Sequence, residues 1–170
     1  MPAVSEKMLI DAVDMGDRPT GVIRRSEVFR QHAGFRVVHV LIFNDRGEIL
    51  TQQLAKNRSR HPGYWGSSVA GYLFAGESYE DGAERRVAEE VGVAGMSLAY
   101  VGKTSMLDDG AHKFIGVFRA TSNGPFHFDA NLIDALEFLP QSSIDEMRLA
   151  GSRSFTPTFL HVLAFFRSRM

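Results

Sequence analysis

Two adjacent glutamates, Glu89 and Glu90, follow two adjacent arginines, Arg85 and Arg86, with a further glutamate upstream at Glu77. Clustered carboxylates are the donors that hard ions such as Mg²⁺ and Mn²⁺ take into their octahedral shells. Guanidinium groups in the same stretch can pair with those carboxylates or grip phosphate oxygens two at a time. The plainer alternative is a solvated helix face, on which each i,i+4 ion pair contributes only about 0.2–0.5 kcal/mol.

Positioning these groups requires a loop followed by a helix, and Gly71 to Val93 supplies both. Gly76 breaks the chain, Ser78 can cap the helix N-terminus, and Asp81 stands three residues on in a capping-box-like position. Ala83, Val87 and Val91 recur every four residues and mark the buried face. Gly82, Arg85, Arg86, Glu89 and Glu90 share the opposite, wetter side.

This spacing resembles the Nudix box, the signature of a family of diphosphate hydrolases, written G-x5-E-x7-R-E-U-x-E-E-x-G-U with U a bulky aliphatic residue. Gly71, Glu77, Arg85, Val87, Glu89, Glu90, Gly92 and Val93 fall in place, and Arg86 stands where the pattern has a glutamate. The resemblance implies an α/β/α sandwich with a mixed central sheet, in keeping with the alternation of strand-like and helix-like segments. It implies a hydrolase of an organic diphosphate, most simply a nucleoside diphosphate derivative, dependent on Mg²⁺ or Mn²⁺. Glu89 and Glu90 would be the metal ligands and Gly71 would offer a backbone carbonyl, while Glu77 and Arg85 would pair to hold the loop against the helix.

Arg86 opens a second reading. On a helical wheel it lies between Glu89 and Glu90, so its guanidinium can take the cation's place and weaken metal binding. The chain would then be a non-catalytic Nudix module that binds a nucleotide-like ligand or a protein partner. A further glutamate that many relatives carry after the box is replaced near here by apolar Leu132, with Asp129 and Glu137 close in sequence.

Ahead of the box, Leu54 to Trp65 carries Lys56, Arg58, Arg60 and His61 and ends in Pro62-Gly-Tyr-Trp65. Arg58 and Arg60 suit a phosphate, and Trp65 could stack on a flat ring. The segment Arg60 to Gly71 is similar to one found before the box in isopentenyl diphosphate isomerases and a related hydrolase branch. Their catalytic cysteine and metal-binding histidine correspond to Ala70 and Tyr72, so the resemblance implies the hydrolase branch.

The rest of the chain sets bounds. Its 170 residues, 44% hydrophobic and 23% charged with net charge −1, fit a single domain with no global field toward nucleic acid or membrane. Absence of cysteine excludes disulfides, thiolate catalysis and Cys-zinc sites. With neither a membrane-length apolar run nor a signal peptide, the expected place is the cytoplasm. A small diphosphate is the expected partner, and a homodimer is compatible.

Residues 1–33 read as an N-terminal hairpin extension, with strands at 8–13 and 21–25. Arg36 to Phe43 reads as a central strand, with Glu48 to Gln53 as its hairpin partner and His39 a satisfied sheet histidine. Strands follow at 97–105, 113–121 and 136–139, with the Asp108-Asp109 turn between the first two. Helices complete the chain at 141–149, capped by Ser142 or Ser143, and at 155–170, capped by Thr156, with Phe159, Leu160, Leu163 and Phe166 facing the core.

Overall fold

The computed structural model describes residues 8–170, so residues 1–7 of the N-terminal extension lie outside the described residues. Strands β1 (Leu9–Val13) and β2 (Pro19–Arg24) form a small antiparallel sheet, followed by a 3-10 turn at Arg25–Glu27. The larger sheet contains β3 (Phe35–Phe43), β4 (Ile49–Leu54), β5 (Trp65–Gly66), β6 (Val69–Tyr72), β7 (Ala99–Asp108), β8 (Ala111–Thr121) and β9 (Ile133–Leu139). Helix α1 (Tyr79–Val91) lies between β6 and β7, and α2 (Gln141–Ala150) and α3 (Pro157–Ser168) close the chain.

The main path of this sheet runs β5-β4-β3-β8-β7, with β6 also paired to β3 and β9 to β4. β3 and β8 run parallel and the other pairs antiparallel, which makes the sheet mixed. Strand β3 is apolar on both faces because both are covered. Phe35, Val37, Leu41 and Phe43 pack in one core with Phe159, Val162, Leu163 and Phe166 of α3, while Val38, Val40 and Ile42 pack in another with Ala83, Val87 and Val91 of α1. An α/β/α sandwich results. Fully burying one such large side chain contributes about 1.5–3 kcal/mol.

Several expectations need correction. β3 and β4 share only the Phe43–Ile49 pair and then diverge, and β4 pairs instead with β5 and β9. The expected hairpin is therefore only a corner. Gly71 lies in strand β6 opposite Val38, not in the loop. Pro140 takes the N-cap position of α2, without a side-chain cap from Ser142 or Ser143. Gly82 and Glu90, placed on the wet side of the box helix, are buried. The α3 cap is as expected, with Thr156 Oγ1 accepting from Phe159 N at 3.2 Å, and Leu160 is only half-buried.

Candidate functional site

The edge of β6, the loop after it and the exposed flank of α1 meet at one site, where Ala70, Gly71 and Tyr72 are half-buried. The helix starts where Ser78 accepts a hydrogen bond from Asp81 N at 3.1 Å, and ends at Gly92, whose left-handed φ of 72° suits glycine. Glu77 and Arg85 tie the loop to the helix. Arg85 Nε lies 2.8 Å from Glu77 Oε2, its Nη2 lies 2.9 Å from Oε1, and the same Nη2 reaches Tyr72 O at 3.0 Å. Burial alone would raise the Glu77 pKa, but hydrogen bonds from Arg85 and from Phe74 N–H outweigh it and hold it below the usual value.

The N-terminal hairpin braces the same loop from outside. Asp11 accepts from Gly76 N at 2.9 Å, and Ala75 N donates to Leu9 O at 2.9 Å. Asp17, buried, receives Arg36 Nε at 2.7 Å, Tyr79 Oη at 2.8 Å and Lys103 Nζ at 2.8 Å, which joins the hairpin to the sheet and to the first turn of α1. Sequence reasoning missed Asp17, which lies between the two hairpin strands with no neighbouring motif to single it out.

Arg86 joins α1 to the edge of β6 at this site. Its Nε and Nη2 contact Glu90 Oε2 at 2.9 and 2.5 Å, its Nη1 contacts Glu89 Oε2 at 2.8 Å, and Nη2 lies 3.5 Å from Ala70 O. A Cβ on Gly71 would come within 2.2 Å of Arg86 Nε, so the guanidinium lies against β6 only because residue 71 has no side chain. The other oxygen of Glu90 accepts from Gln52 Nε2 at 2.7 Å and faces Ala70 N at 3.4 Å. Gln52, which also donates to Ser68 O at 2.9 Å, was likewise missed. Its signal is in the sequence, because alternation along β4 puts this polar side chain on the same face as Leu50.

A divalent ion needs free oxygen donors, and this arrangement does not fit a resident one. Both oxygens of Glu90 and both of Glu89 already accept from arginine or amide donors. Among the described residues no group of three or more His, Asp or Glu side chains could hold an ion. Arg86 adds a fixed charge that opposes a cation by about 1–4 kcal/mol per charge pair between water-like and surface-like dielectric.

The basic loop divides. Arg58 lies within electrostatic reach of Glu90 and Arg86, with its Nη1 3.4 Å from Leu132 O. Although Arg58 is exposed as a whole residue, burial is the leading influence on its pKa and lowers it; Glu90 opposes that shift, and the charges of Arg25 and Arg86 reinforce it. Arg25 also stands beside this site, 4.2 Å over the Tyr72 ring, which stacks on Phe35 at 5.3 Å.

Arg60 and Trp65 are placed elsewhere. Arg60 binds Asp108 at 2.5 and 3.1 Å and lies 4.4 Å over Phe29, bordering a separate open cleft of about 480 Å³ with Thr158 and Asp109. Trp65 is buried in the core beside α3, with Arg153 4.2 Å over its ring, so it is not an open stacking platform. Asp108 does not reach the box either. Burial would raise its pKa, but Arg60 and Lys113 hold it down to about 2. Glu137 lies on β9, exposed and paired with Arg153 at 3.3 Å. His39, with Nδ1 2.7 Å from Ser67 Oγ, is the satisfied sheet histidine that the sequence implied.

A mixed-sheet sandwich with this loop-helix site defines the Nudix class. The NUDIX domain family model matches residues 34–159, and the chain belongs to that family. It is 32% identical over 165 residues to an uncharacterised Nudix hydrolase of Pseudomonas aeruginosa, a match covering 96% of each chain. An isopentenyl-diphosphate Delta-isomerase of Nocardia farcinica is 30% identical over 151 residues, covering 88% of this chain and 80% of that one. The crystal structure of DR0079 from Deinococcus radiodurans superposes with a TM-score of 0.81 at 24% identity, covering 92% of this chain and 98% of that one. Nudix hydrolases as a class act on small-molecule diphosphates and generally use divalent metals.

Proposed function

We propose that the α1–β6 site binds and hydrolyses the diphosphate of a small organic molecule, with a nucleoside diphosphate derivative as the substrate class. Membership in the Nudix family supports the reaction, and similarity to an isomerase of an organic diphosphate supports the ligand. The single observation that carries the location is the convergence of Arg86, Glu89, Glu90 and the Ala70 carbonyl at one point, with Arg58 alongside. Glu77 and Arg85 are positioning residues that fix the loop. Mg²⁺ or Mn²⁺ can act here only where Arg86 yields the carboxylates, so metal dependence in this chain is a matter of that exchange.

The pairing of Arg86 with both glutamates favours a second reading, a non-catalytic module that retains ligand binding. A panel of nucleoside diphosphate, sugar-nucleotide and dinucleotide substrates, assayed with Mg²⁺ and with Mn²⁺, separates the two. Turnover of any member supports the hydrolase. Binding of a panel member without turnover under either metal supports the module.

A further inference from the structure

We infer that Asp17 is a positioning residue of the box loop, acting on it through Arg36 and the N-terminal hairpin. Its bearing on turnover rests on the hydrolase reading of the site, whereas its hold on the loop does not.

Residues 73–77 lead from β6 into α1 and belong to no strand or helix, so their backbone N–H groups must find partners outside regular structure. All five do. Two of the bonds stay within the box: Phe74 N donates to Glu77 Oε1 at 2.9 Å, and Glu77 N to Phe74 O at 3.0 Å. The other three leave it. Leu73 N donates to Arg36 O at 3.3 Å, Ala75 N to Leu9 O at 2.9 Å, and Gly76 N to Asp11 Oδ2 at 2.9 Å. Glu77 thus secures the loop from inside, and β1 and Arg36 secure it from outside.

These outer partners meet at Asp17, whose side chain is only 3% exposed. Besides the Nε contact to Asp17 Oδ1, Arg36 Nη2 donates to Asp17 O at 2.6 Å. Arg36 Nη1 lies 3.8 Å from Asp11 Oδ2, the same oxygen that accepts from Gly76 N. A continuous chain therefore runs from Asp17 through Arg36 and Asp11 to Gly76. Tyr79 closes it from the other side. As the first residue of α1 it donates to Asp17 Oδ2, and its ring is seated on Gly116, where a Cβ would lie 2.5 Å from Tyr79 Cδ1. Removing the buried charge of Asp17 leaves Arg36 without its nearest counter-charge, and the outer half of the loop's support goes with it.

Amide hydrogen exchange of the full chain, read residue by residue by NMR, tests this on the parent and on Asp17→Asn. Asparagine suits the left-handed φ of 61° at residue 17, so the substitution removes charge without refolding the turn. Exchange at Leu73, Ala75 and Gly76 should rise by about tenfold or more, while amides of the β3–β8 ladder stay within about twofold of the parent. Arg36→Lys keeps the charge but cannot span Asp17 and Asp11 together, so it should give the same pattern. Should Asp17→Asn fail to fold, as a thermal melt would show, Arg36→Lys carries the test. Parent-like exchange at Ala75 and Gly76 in the variants, or an equal rise across β3 and β8, overturns the inference. With a substrate from the panel, Asp17→Asn should lower kcat about tenfold and leave KM within about threefold. Unchanged kcat would overturn the positioning role. Failure of the hydrolase reading looks different: no panel member turns over even in the parent, while the exchange pattern is as expected.

Discussion

Arg86 Nη2 lies 2.5 Å from Glu90 Oε2, one helical turn away, and only 5% of the Glu90 side chain is exposed. A surface i,i+4 pair would contribute little. Here the carboxylate is buried and three donor groups converge on it, from Arg86, Gln52 and Ala70 N, so removing one leaves the others poorly matched.

Glu90 should therefore matter to turnover far more than Glu137, which is exposed on β9 and paired with Arg153. With a substrate identified by the panel, Glu90→Gln is expected to lower kcat by about a hundredfold or more, and Glu137→Gln to leave it within about twofold. Steady-state kinetics on both variants check this. Equal losses would remove the assignment.

Gly71→Ala changes no charge yet should move Arg86, because the new methyl group would occupy the space of its Nε. The expected result is a loss of about 1–2 kcal/mol in stability, as hydrogen bonds to Glu90 are broken. Urea denaturation of the parent and the variant measures it.

Arg85 is predicted to act on the loop and not on the reacting atoms. Truncating it strands Glu77, whose side chain is only 13% exposed, along with the Tyr72 carbonyl. Arg85→Ala should cost about 2 kcal/mol in chemical denaturation. Arg85→Lys should restore only part of that, since a single ammonium cannot reproduce the two-pronged contact.

Buried His39 sets an acid limb of stability. Burial, followed by the charges of Lys113 and His161, depresses its pKa from 6.5 to about 3. Its immediate partner is Ser67. A depressed folded-state pKa gives stability that is complete above the unfolded value and lost as pH falls through the folded one. The window thus runs from about pH 6.5 down to about 3, with a slope of about 1.4 kcal/mol per pH unit. His39→Gln should flatten that slope between pH 6 and about 4, the range above most carboxylate titration, in denaturation curves at stepped pH.

Local signals were legible in the sequence where chemistry is local. The Ser78 and Thr156 caps, the glycine that ends α1, its apolar stripe and the Glu77–Arg85 and Arg86–Glu90 pairs are separated by at most eight residues, so spacing alone brings them together. What the sequence hid depends on long-range pairing. The β3–β8 parallel ladder, the departure of β4 toward β9, and Gln52 reaching Glu90 all need the finished sheet. Trp65 misled for the same reason. An aromatic at the end of a basic loop suits a ligand or a core equally, and only the docking of the Phe155 segment beside it decides for the core.

Titration of Mn²⁺ alone into the parent chain and into Arg86→Glu by calorimetry tests the central claim most directly. The substitution removes the resident guanidinium and adds a third carboxylate beside Glu89 and Glu90, changing the local formal charge by two units. The account predicts Mn²⁺ binding at least about tenfold tighter in Arg86→Glu than in the parent. Equal Mn²⁺ affinity in the two proteins would contradict it.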